Sequence, residues 1–141
     1  MQEYLDFARA NPLLFLGFFA VLGLIIWTEY GRLSRKYKML PVSNAVRLMN
    51  DDKTVVVDVR DDSEIEEGVI QGAKHIPVAN LATRIAELDK FKSAPIVVYC
   101  RTGNRSGGAC KTLTAAGFEN VNNLEGGLVA WESASLPLAK R

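Results

Sequence analysis

The chain has 141 residues, enough for one domain or for one domain with an appendage. With 48% hydrophobic and 23% charged residues it is not a disordered chain, and five Pro and 11 Gly exclude collagen-like or low-complexity character. Two Cys and one His leave neither a disulfide framework nor a histidine-rich metal centre, and a formal charge of +1 gives no electrostatic case for nucleic acid.

The apolar residues gather near the N-terminus. Residues 13–27 (LLFLGFFAVLGLIIW) carry no charge and no strongly polar side chain. With Pro12 and Thr28 added, the run spans about 25 Å as a helix, the lower end of what crosses a bilayer core. Asn11 is placed to cap that helix and Pro12 fits its first turn. The pattern predicts a transmembrane helix over about 12–30, contacting the lipid bilayer. Arg32, Arg35, Lys36 and Lys38 would snorkel to the interface, and Trp27 and Tyr30 would join the aromatic belt. A soluble body of about 100 residues rarely encloses a helix apolar on every side. A cleaved signal peptide fits poorly, because Glu3 and Asp6 precede the run with only Arg9, and no small-residue cleavage site follows it. One Lys/Arg precedes the run and four follow closely. The expectation is a single-pass inner (cytoplasmic) membrane protein with its N-terminus outside and its domain in the cytoplasm, where both Cys stay reduced. The run lacks GxxxG, so no helix dimer is expected from it.

The expected organisation is an anchor and basic linker over 1–38 and one domain over 39–141. Ser43 is a possible cap for a short helix with Ala45, Val46 and Met49 on its apolar side. Val55, Val56 and Val57, ending in Asp58, read as a buried strand. Leu81, Ile85 and Leu88 recur at helical spacing, with Asn80 as a possible cap. Residues 96–99 (IVVY) form a second buried strand, and consecutive apolar positions point to a parallel sheet covered on both faces. Ala109, Leu113 and Ala116 fit a helix ending at Gly117. Residues 121–124 read as a short strand, and Gly126 and Gly127 open a last helix holding Leu128 and Trp131. Strands alternating with helices predict an α/β domain with a central, mostly parallel sheet flanked by helices.

The second strand delivers Cys100 at its C-terminal end, where ligand sites of open α/β sheets lie. The loop Arg101, Thr102, Gly103, Asn104, Arg105 follows, and a helix begins near Ser106. Backbone N–H groups of such a loop, the helix N-terminus, and the cations of Arg101 and Arg105 would all favour a thiolate. Gly103 supplies freedom in φ for the tight curl. A thiolate ringed by N–H donors is a nucleophile, and the ring can hold an anion attached to it.

Residues 100–106 (CRTGNRS) resemble the active-site loop of a single-domain rhodanese. Residues 57–60 (VDVR) resemble that family's strand-end Asp-x-Arg, and residues 64–77 (EIEEGVIQGAKHIP) its segment usually written E-aromatic-x-x-G-H-I-P-G-A-x-N-I-P. Gly126, Gly127 and Trp131, with the closing Leu136 and Pro137, resemble its GG-x-x-x-W and Leu-Pro. A membrane helix ahead of one such domain resembles the small membrane-anchored rhodaneses of bacteria.

The resemblance implies a rhodanese fold and a sulfurtransferase in which Cys100 takes a sulfane sulfur from a small donor such as thiosulfate and holds it as a persulfide. The loop amides and Arg105 would stabilise that anion. A thiol or cyanide would remove the sulfur, and no metal or organic cofactor would be needed. A protein acceptor near the membrane fits the anchor.

This sequence departs from the family with Ile65 for the aromatic, Val69 for the His, Gln71 for a Pro and His75 for a frequent Asn. No His is therefore carried over as catalytic. Asp58 and Arg60 are expected to support the site through hydrogen bonds, Cys110 and Trp131 to sit in the core, and the acidic residues between 61 and 67 to form a solvated face. Two rival functions remain. One is a Cys-dependent phosphatase, although phosphatases related to this fold have one more residue between Cys and Arg than this chain has. The other is a non-enzymatic, membrane-tethered module that binds a partner protein.

Overall fold

The computed structural model describes residues 1–140 and divides the chain into two compact units, Met1–Arg35 and Lys36–Arg141.

In the first unit, helix α1 (Gln2–Ala10) precedes helix α2 (Pro12–Leu33). Helix α1 has no counterpart among the sequence expectations. Asn11 does not cap α2 with its side chain: its Nδ2 donates to the Phe7 carbonyl at 3.0 Å and so closes α1. The 22 residues of α2 cover about 33 Å at the helical rise. It is long and apolar enough to cross a membrane, and none of its residues is buried within the protein.

The second unit holds, among the described residues, one five-stranded sheet. Its strands are β1 (Lys38–Leu40), β2 (Val55–Asp58), β3 (Lys74–His75), β4 (Pro95–Tyr99) and β5 (Asn120–Leu124), in the order β1-β5-β4-β2-β3, every pair parallel. Strands β1 and β3, of three and two residues, are too short to show a period, so neither is expected from hydropathy patterning. Lys38, expected in the linker, pairs with Asn122.

The consecutive apolar residues of β2 and β4 serve two layers. Val55, Val57, Ile96 and Val98 pack with α5 (Asn104–Ala115) and with Leu81 and Leu88. Val56, Val97 and Tyr99 pack on the opposite face with α3 (Val42–Met49) and α6 (Gly127–Ser133). A strand buried on both faces needs no alternation.

Ser43 does not cap α3. The helix starts two residues earlier than such a cap implies, at Val42 after Pro41, whose carbonyl accepts from the Asn44 and Ala45 amides at 3.0 and 2.9 Å. The expected helix over 81–88 is α4 (Leu81–Arg84) followed by a 3₁₀ stretch, Ile85–Phe91. Asn80 makes no side-chain cap there; its carbonyl accepts from the Thr83 hydroxyl at 2.9 Å. Helix α5 ends in a paired closure at Gly117 (φ +94°): the Gly117 amide donates to Thr114 O and the Phe118 amide to Leu113 O, both at 3.2 Å. Phe118 and Leu113 are buried in the same cluster, the apolar contact that accompanies this motif.

Candidate active site

Strand β4 ends at Tyr99, so Cys100 stands at the C-terminal edge of the sheet, and its residue is 1% exposed. The loop turns back through Gly103 (φ +99°), and α5 begins at Asn104 rather than near Ser106. That curl aims the Gly103 N–H at Cys100 Sγ from 3.1 Å. The Ser106 hydroxyl lies 3.3 Å from the same sulfur.

Ser106 Oγ also donates to Asn123 Oδ1 at 2.6 Å. A hydroxyl has one proton, so Ser106 serves Asn123 while the sulfur is a thiol and can turn toward a thiolate. Asn123 in β5 donates through Nδ2 to the Gly103 carbonyl at 3.0 Å, so one buried amide ties together both ends of the loop. Sequence reading missed Asn123. Its signal was there: Asn122 and Asn123 are consecutive amides inside a short buried strand, where a polar side chain must find partners.

Burial works against the Cys100 thiolate. The Ser106 hydroxyl and the amides of Ser106, Gly103 and Thr102 outweigh it, and the thiol lies below its ordinary value of 9.0. The two arginines are arranged otherwise than expected, because carboxylates hold both. Arg105 makes a two-pronged pair with Glu64 at 2.7 and 2.8 Å and reaches Asp61 at 3.3 Å. Arg101 pairs with Glu67. The acidic run is therefore not merely a solvated face: it supplies partners to the loop. The Arg105 hydrogen bonds, outweighing partial burial, pull Glu64 down to about 2.

Asp58 and Arg60 anchor that acidic segment from below. Both side chains are fully buried, with Arg60 Nη2 2.7 Å from Asp58 Oδ2. Arg60 spends its remaining donors on the carbonyls of Glu64 at 3.1 Å and Gly68 at 2.7 Å. A buried guanidinium that donates from all three of its nitrogens is a rigid bracket. His75 reaches the Arg60 carbonyl with Nε2 at 2.7 Å, a structural contact.

The paired glycines close the site from the other side. Gly127 (φ +56°) brings the α6 N-terminus against the loop, and a Cβ there would stand 2.5 Å from the Cys100 carbonyl oxygen. The Leu128 and Val129 amides donate to Cys100 O and Arg101 O at 2.9 and 3.1 Å. Thr102 and Asn104 complete the turn, Thr102 through its amide. Cys110 lies inside α5, fully buried, and burial together with the Cys100 charge pushes its thiol up to about 12. Trp131 is buried, its Nε1 donating to Pro137 O at 3.1 Å.

The model of the rhodanese-like domain matches residues 42–134. The chain belongs to the rhodanese-like family. It is 32% identical to the uncharacterized protein YibN of Escherichia coli (strain K12), over 99% of each chain. It is 37% identical to a sulfurtransferase of Allochromatium vinosum, over 65% of this chain and 84% of that one. The solved structure of a rhodanese-related protein from Thermoplasma volcanium superposes with a TM-score of 0.68 at 26% identity, covering 74% of this chain and all of that one. Within the rhodanese frame Val69 keeps a structural post: it is buried and exchanges backbone hydrogen bonds of 2.8 and 2.7 Å with Ala139.

Proposed function

We propose that the protein is a rhodanese-type sulfurtransferase that carries sulfane sulfur as a persulfide on Cys100. The observation that carries this reading is the placement of Cys100 Sγ at a strand end, 3.1 Å from the Gly103 N–H and 3.3 Å from the Ser106 hydroxyl, donors that favour its thiolate. The thiolate attacks the outer sulfur of a donor such as thiosulfate, and sulfite leaves with the electrons of the broken S–S bond. The terminal sulfur of the persulfide then sits where the loop amides and the α5 N-terminus stabilise negative charge. A thiol or cyanide attacks that sulfur and restores the Cys100 thiolate. Thr102, Gly103, Asn104 and Ser106 shape the cradle, Arg101 and Arg105 border it, and Asp58 and Arg60 hold its acidic flank.

Four residues separate Cys100 from Arg105, which suits a ring around one sulfur better than a phosphate cradle with one residue more. Helix α2 anchors the chain in the inner membrane. Arg32, Arg35, Lys36 and Lys38 hold the rhodanese domain on the cytoplasmic side, near an acceptor that is itself at the membrane.

The test is an intact mass of the full chain in detergent after excess thiosulfate or a thiol persulfide. A gain of one sulfur atom, absent in Cys100→Ser and kept in Cys110→Ser, is expected. No gain from either donor would return the weight to a non-enzymatic partner-binding module. Hydrolysis of an aryl phosphate faster than sulfur transfer would favour the phosphatase. A reporter fused after Arg141 should behave as cytoplasmic.

A further inference from the structure

The loop has two guanidinium groups, and both are already occupied. Arg105 is held by Glu64 and Asp61, and Arg101 by Glu67. Two positive and three negative side chains leave this rim at −1 before the Cys100 thiolate is counted. Arg60, itself locked to Asp58, fixes the backbone at Glu64 and Gly68, at either end of the segment that carries Glu64 and Glu67. The groups that lower the Cys100 thiol are a hydroxyl and amides, so its activation does not require free arginines.

An anionic donor meets this rim as a charge meets a like charge, and the penalty scales with the donor's charge. Thiosulfate is a dianion. We propose that Glu64 and Glu67 are donor-specificity residues: by occupying both loop arginines they disfavour thiosulfate and direct Cys100 to the persulfides of thiols, which carry at most one charge at the reacting end. The proposal rests on Cys100 being the sulfur carrier.

The transfer balances without an oxidant. The Cys100 thiolate attacks the outer sulfur of R–S–SH, forming one S–S bond as the donor's S–S bond breaks. The electron pair leaves with R–S⁻, which takes the proton released by the new persulfide. The products are R–SH and the Cys100 persulfide anion.

The experiment measures the rate of one-sulfur gain on Cys100 by intact mass, for the full chain in detergent, with two probes: thiosulfate and the persulfide of 2-mercaptoethanol, whose carrier is uncharged. The native protein should favour the persulfide, and added salt should speed loading from thiosulfate by screening the repulsion. In Glu64→Gln/Glu67→Gln the rate ratio of thiosulfate to persulfide should rise about tenfold, and salt should no longer accelerate thiosulfate. Glu67→Gln alone, at an exposed side chain that the fold does not need, should move the ratio about threefold in the same direction. A ratio unchanged in both variants, or a native thiosulfate rate indifferent to salt, overturns the proposal while leaving the sulfur carrier intact. Loading from neither probe overturns the sulfur carrier itself, and the donor assignment with it.

Discussion

The protein keeps its two thiols ten residues apart in one chain segment and treats them in opposite ways. Cys100 is 1% exposed and Cys110 is 0% exposed. Burial by itself would push both thiols up, and at Cys110 it does, to about 12. At Cys100 the same burial is overcome by a hydroxyl and three backbone amides. Access to water is therefore not what sets the two thiols apart here. The difference is whether the chain ahead of a helix is curled into a ring of donors or wound into the helix, where every nearby amide is already committed to a carbonyl.

The comparison breaks most visibly in sulfur loading. Cys100→Ser should abolish the mass gain, whereas Cys110→Ser should retain it; a carrier on Cys110 would reverse the assignment of the two thiols. The next effect is steric. Gly127→Ala places a Cβ against the Cys100 and Arg101 backbone, and should cost about 3 kcal/mol in chemical denaturation and release the loop. The region of Cys110 should keep its amide-exchange protection if α5 folds independently of that contact.

Ser106→Ala sharpens the contrast without a cavity of consequence. It removes the Ser106 hydroxyl from Cys100 and from Asn123 Oδ1 but nothing from Cys110, so alkylation of Cys100 at mildly acidic pH should slow about tenfold while Cys110 stays unreactive. An unchanged pH profile would mean that the amides alone hold the thiolate.

The smallest effect concerns acid. Glu64 titrates at about 2 in the folded protein instead of 4.5, so its contribution to stability is present above the ordinary value and lost as pH falls through about 2. With Arg105 about a third exposed, screening limits this to about 1 kcal/mol. Acid unfolding of Glu64→Gln should show a correspondingly flatter dependence between those two values.

Much of this arrangement was legible in the sequence because it depends on local rules. The runs at 55–57 and 96–99 are β-branched and uninterrupted, the mark of strands covered on both faces. Gly117 closes α5 because a left-handed residue is needed there. Residues 100–106 announced a loop at a strand end. Strands β1 and β3 were not legible: three and two residues carry no periodicity, and they exist because the neighbouring strand offers them its hydrogen bonds. Ser43, Asn80 and Asn11 looked like caps, but a preceding proline and competing local hydrogen bonds took those posts.

By itself the sequence determined that this chain joins an apolar helix to an α/β domain of the rhodanese-like family, and which cysteine ends a strand. The helix, the strands and the loop follow from hydropathy, from period and from backbone angles that glycine accepts most readily, and the family from the motifs at 57–60, 64–77 and 100–106 that resemble it. The tertiary structure alone decided that Asn123 clamps the loop, that the hydrogen bonds expected of Arg60 go to the Glu64 and Gly68 carbonyls, and that Glu64 and Glu67 occupy the arginines expected to face the sulfur. Charge and hydrogen-bond energies depend on distances between groups as far as 41 residues apart, and only the folded chain sets them.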